Sequence, residues 1–97
     1  MLNPNKLLCN AFVEELRVNY AQTYGGLKQN YADIIAWVGN MGGETIANSN
    51  ALYHDVEHMV FVTLVGQQIL RGKHIREGRV SCEDWLHFTI SLVCHDI

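Results

Sequence analysis

Two short blocks of this 97-residue chain hold side chains of the kinds that bind metal ions and move protons. The first is Tyr53-His54-Asp55-Val56-Glu57-His58, with two imidazoles four residues apart; the second is Cys94-His95-Asp96-Ile97, with an imidazole next to a carboxylate. Residues four apart on a helix lie about one turn apart on one face, so His54 and His58 can address one cavity. Neighbouring helical residues point about 100° apart, so His95 and Asp96 reach one ion only if the helix edge faces it or the helix ends there. Imidazole is the commonest metal ligand and the usual acid–base side chain near neutral pH. Either block alone is unspecific, because a histidine pair also serves as a polar patch and a His-Asp pair as a hydrated helix end. Their combination carries the metal-site reading.

The elements that must position these blocks are helical. The one proline stands at position 4 and no segment alternates strongly between apolar and polar residues, which predicts an all-α fold. Asn3 can cap a first helix that starts at Pro4, where a missing N–H costs nothing. Leu8, Phe12, Leu16 and Tyr20, with Leu7 and Ala11 beside them, form its apolar face, and Gly25-Gly26 ends it. Residues 31–38 predict a second, shorter helix ending at Gly39, then a loop to Asn50 in which Gly39, Gly42 and Gly43 turn the chain. Those glycines match neither a P-loop nor a dinucleotide fingerprint. Residues 51–70 predict a third helix with Val56, Val60 and Leu64 on one stripe and Met59, Thr63 and Gly66 beside it; Gly72 and the polar residues 73–78 break it. Ser81-Cys82-Glu83-Asp84 resembles a capping box, with Asp84 in place of the usual Glu or Gln. The helix it opens carries Trp85, Phe88, Leu92 and His95 to the terminus.

Composition narrows the class. About half of the residues are apolar (48%), which suits one small domain with one core. The net charge of −3 and the scattered Lys and Arg give no footprint for nucleic acid. Three cysteines, Cys9, Cys82 and Cys94, without a C-x-x-C pair indicate neither a disulfide framework nor a zinc ribbon, and point to a reducing compartment. No signal peptide and no membrane-spanning run is present, so the expected location is the cytoplasm. Trp37 and Trp85 are expected in the core and Cys94 as a small packed residue. Glu57 is expected in solvent, His87 with one backbone or water partner, and His74 in an exposed basic loop with Lys73, Arg76 and Arg79.

With both blocks in place, residues 51–97 resemble the HD-domain metal-dependent phosphohydrolases, most closely those of the cyclic-nucleotide phosphodiesterase type. That family carries Tyr-His-Asn-x-x-His and, a helix later, Cys-His-Asp after an apolar run, here Leu92-Val93-Cys94-His95-Asp96. The resemblance implies an HD-type helical bundle over residues 1–97, incomplete at its C-terminal side. It also implies His58, His95 and Asp96 as metal ligands, Asp96 bridging to a second ion, and His54 as the acid that protonates the leaving oxygen. The implied cofactors are zinc, iron or manganese at the first site and magnesium or manganese at the second. Two such ions clamp the attacking and leaving oxygens of an in-line displacement. A small phosphoester, such as a nucleotide, is the implied substrate. Asp55 stands where the family has Asn, and its charge can raise the pKa of His54. The family's last aspartate ligand would lie beyond Ile97. The helices that follow in the family would also cover Trp85, Phe88 and Leu92, so a homodimer is expected to do so here. The alternative is a catalytically inactive helical interaction module that keeps part of the motif.

Overall fold

The computed structural model describes residues 3–48 and 53–95, with Tyr53 and His54 as backbone. Four helices follow one another: α1 (Pro4–Tyr24), α2 (Gln29–Ala47), α3 (Tyr53–Glu77) and α4 (Cys82–Cys94). The fold is all-α, and the described residues contain no strand.

Helix starts and stops follow local chemistry. The Asn3 carboxamide oxygen accepts from the N–H groups of Asn5 (3.0 Å) and Lys6 (3.3 Å), satisfying two donors that the first turn leaves open. Gly25 ends α1 at φ 61°, a left-handed value that glycine adopts without strain. The capping box at α4 is complete despite its aspartate. Ser81 Oγ accepts from Asp84 N–H (3.0 Å), and Asp84 Oδ2 accepts from Ser81 N–H (3.1 Å).

Two helix ends differ from the sequence reading. α2 runs straight through Gly39, Gly42 and Gly43, all buried, and stops only at Ala47. α3 passes Gly72 and ends at Glu77, before Gly78 at φ 66°. A glycine in a helix costs only about 1 kcal/mol. At Gly39 and Gly43 the missing side chain is what lets α1 approach. A methyl at Gly39 would meet Leu16 Cδ1 at 2.5 Å and Phe12 Cε2 at 3.4 Å, and one at Gly43 would collide with the Cys9 sulfur. The glycines that looked like turns are the floor of a helix contact.

The helices run up, down, up, down. Asn19, Gln22 and Tyr24 of α1 meet Gln67, Arg71 and His74 of α3 in the same order, so these two are parallel. Gln67 Nε2 donates to Thr89 Oγ1 (3.0 Å) and Gly66 faces Phe88 and Leu92, which sets α4 antiparallel to α3. Tyrosines clasp the end where both hairpins turn. Tyr20 OH meets the Leu27 carbonyl (2.5 Å), Tyr24 OH the Val80 carbonyl (2.8 Å), and Tyr31 OH donates to Glu83 (3.1 Å).

The core combines Phe12, Leu16, Tyr20, Ile35, Val56, Met59, Trp85 and Val93. Through it runs a polar line in which buried Asn19 donates to Gln67 Oε1 (3.0 Å) and Gln67 donates to Thr89. Trp85 is fully buried without a second chain, contrary to the expectation that it needs one. Phe88 and Leu92 are half-buried against Gly66. Trp37, expected inside, is 65% exposed on α2, because the glycine face of that helix, and not its tryptophan, meets α1. Leu7 and Ala11 are likewise outside, and Cys9 takes the inward position in the first turns of α1.

Candidate functional site

His58 stands near the N-terminal end of α3, and Cys94 and His95 at the C-terminal end of α4. Since the two helices are antiparallel, His58 and His95 lie toward the end of the bundle opposite the tyrosine clasps. His58 is exposed on α3, beside an open depression lined by Asp55, Glu57 and Phe61. It stands about two turns before Gly66, and His95 about one turn beyond Leu92, which touches the Gly66 position. The imidazoles come from neighbouring stretches of one hairpin at somewhat different levels.

His95 is exposed at the end of α4, still with helical φ and ψ. Its Nδ1 lies 3.3 Å from the Leu92 carbonyl oxygen. The donor chemistry of His58, His95 and Asp96 fits zinc, iron or manganese. Asp96 lies outside the described residues, as does the side chain of His54. Among the described residues no group of three or more His, Cys, Asp or Glu gathers closely enough to hold a metal ion.

Other side chains depart from their expected settings. His74 belongs to α3, half-buried with its ring 5.4 Å from that of Tyr24, and not to a basic loop. Cys94 is exposed, whereas Cys9 and Cys82 are buried, and all three thiols are free. Burial, and then Glu44, pushes the Cys9 thiol up from its ordinary pKa, as in an inert packing residue. Glu57 is in solvent as expected. Burial, followed by the nearby Cys82, pushes both Tyr20 and Tyr24 up to about 12, so the clasps stay protonated at neutral pH.

The feature that sequence reading missed is the outer side of α3. Phe61 (66% exposed), Val65 (40%), Ile69 (68%) and Ile75 (72%) all face away from the bundle. Their signal was present as a second apolar series, overlooked beside the inward stripe of Val56, Val60 and Leu64.

The fold is thus a small all-α bundle that carries His58 and His95 toward one end. The chain belongs to the Npun_R2479-like family, whose pattern it matches over residues 2–97. No curated protein and no solved structure matches it. No helix among the described residues is long and apolar enough to cross a membrane.

Proposed function

We propose that this chain supplies the first part of a metal-dependent phosphohydrolase site, acting on a small phosphoester such as a nucleotide in the cytoplasm. The observation that supports the reading is the antiparallel α3–α4 hairpin, which carries His58 and His95 toward one end of the bundle. In this reading His58, His95 and Asp96 hold zinc, iron or manganese, and Asp96 also reaches a second ion, magnesium or manganese. The ions, when bound, supply Lewis-acid polarisation of the phosphoryl oxygens. By the resemblance to the phosphodiesterases, His54 would give a proton to the leaving oxygen. Three free thiols accord with a reducing compartment.

The test is elemental analysis of protein purified without chelator, beside His58→Ala, followed by hydrolysis of a generic phosphodiester with added manganese. About one or more transition-metal ions per chain, lost in the variant, is the expected result. Metal absent from both proteins would defeat the reading. It would leave the second one, a non-catalytic helical association module, which the exposed apolar side of α3 favours.

A further inference from the structure

The first hairpin holds a cavity of about 400 Å³ between the start of α1 and the end of α2, within the size range of small-molecule sites. Cys9 and Gly43 form its floor, where the two helices touch. Five of the chain's eight asparagines, Asn3, Asn5, Asn10, Asn40 and Asn48, stand around it. Each carboxamide offers both donors and an acceptor. Asn5 Oδ1 is shielded from water and has no donor against it.

Among the described residues two charges face this cavity, Lys6 from α1 and Glu44 from α2, and both are exposed. No ion pair joins them. The Glu44 carboxylate meets Asn40 Nδ2 only at a long 3.5 Å. Each charge also stands at the helix end that disfavours it. Lys6 lies in the first turn of α1, where the helix dipole is positive, and Glu44 in the last turn of α2, where it is negative. The second hairpin mostly follows the dipole: α3 starts with Asp55 and ends with His74 and Arg76 beside Glu77, and α4 starts with Glu83 and Asp84. The backbone of α1 is not available to an anion. Pro4 has no N–H, Asn3 Oδ1 accepts from Asn5 and Lys6, and the Asn3 carbonyl accepts from Leu7. An anion bound here is therefore left to the Lys6 ammonium and the carboxamides.

A cation and an anion that share a cavity without pairing are complemented by a ligand with the same two charges, reversed in place. Phosphate or sulfate would set like charge against Glu44, and a simple cation would do so against Lys6. A sugar would satisfy carboxamides and leave both charges unpaired. A zwitterion brings a carboxylate to Lys6 and an ammonium to Glu44, each contact a charge-assisted hydrogen bond. We propose that the cavity between α1 and α2 binds a free α-amino acid, its carboxylate on Lys6, its ammonium on Glu44, and the asparagine carboxamides completing both groups. The site belongs to α1 and α2 and the metal reading to α3 and α4, so the two stand or fall separately.

Calorimetric titration of the full chain with the standard free L-amino acids at millimolar concentration should show saturable binding of at least one. Lys6→Met and Glu44→Gln should each weaken it about tenfold or more, the loss expected for one charge-assisted contact. The N-acetyl derivative of that amino acid, which lacks the ammonium, should bind more weakly and be indifferent to Glu44→Gln; the carboxamide derivative, which lacks the carboxylate, should be indifferent to Lys6→Met. Both variants should melt at or above the native temperature, because each removes a charge from a helix end that disfavours it. His58→Ala should bind as the native chain does. The proposal would be overturned by binding of no amino acid, by binding that both variants leave unchanged, or by glucose binding as tightly. A variant that melts lower would assign its charge to the fold, and binding lost in His58→Ala would assign the ligand to the metal site; either result would overturn it as well.

Discussion

The two hairpins of the bundle are closed by the same device and yet differ in how much each depends on it. In the first, Phe12 and Leu16 of α1 straddle Gly39 of α2. In the second, Phe88 and Leu92 of α4 straddle Gly66 of α3. The distances agree, with leucine Cδ1 2.5 Å and phenylalanine Cε2 3.4 Å from where a methyl would stand in both. Burial does not agree. Phe12 and Leu16 are enclosed, and Gly43 repeats the contact one turn on against Cys9, while Phe88 and Leu92 are half-exposed. The second hairpin relies instead on the Gln67–Thr89 hydrogen bond. The same close approach is therefore rigid where neighbours surround it and yielding where solvent does.

Leucine truncation should break the likeness most clearly. Leu16→Ala opens a cavity in a sealed core and should cost about 3–4 kcal/mol, whereas Leu92→Ala should cost about 1–2 kcal/mol because water or a neighbour can fill the gap. Urea unfolding of both variants measures the difference; equal losses would show that the second hairpin is as enclosed as the first. Next in size is Gln67→Leu, expected to destabilise by about 2 kcal/mol because the Asn19 carboxamide and Thr89 hydroxyl lose their buried partner. A matched loss on Thr89→Val, with the double variant less than additive, would assign the cost to the line of bonds.

Adding a methyl sharpens the contrast. Gly39→Ala should destabilise by about 1–2 kcal/mol, since overpacking against fixed Leu16 exceeds the gain of about 1 kcal/mol in helix propensity. Gly66→Ala should be neutral or slightly stabilising, because the half-exposed Leu92 can rotate away. A reversed order would remove the distinction.

The smallest effect at neutral pH concerns the clasped end shared by both hairpins. Tyr20 and Tyr24 ionise near 12 when folded, against about 10 in an unfolded chain. The folded state holds these protons more tightly, so their contribution is complete below pH 10 and is lost as pH rises from about 10 toward 12. Tyrosinate absorbance should rise together with loss of helical signal in that window. Ionisation of all tyrosines near pH 10 with the helices intact would contradict the clasps.

Much of the scaffold was legible in the chain. Asn3-Pro4, Gly25 and Ser81 mark helix ends by local hydrogen bonding and backbone freedom, and the inward stripes of α1 and α3 follow from period. The glycines of α2 were not legible, because a glycine that turns the chain and one that admits a neighbouring helix are alike until the neighbour is known. Trp37 misled for the same reason, since its size says core while its angular position on α2 says solvent. Of the candidate site, the residue types and their order were legible, and the antiparallel hairpin brings His58 and His95 to one end of the molecule.

The sequence by itself determined the helical class, the caps and the two blocks of ligand-type residues, because these depend on interactions within a few residues. Only the tertiary structure decided which glycines are contacts, which aromatic residues are enclosed, and which of the two apolar series on α3 faces inward. One is covered by the bundle and the other is exposed, and telling them apart required knowing which side the other three helices already cover.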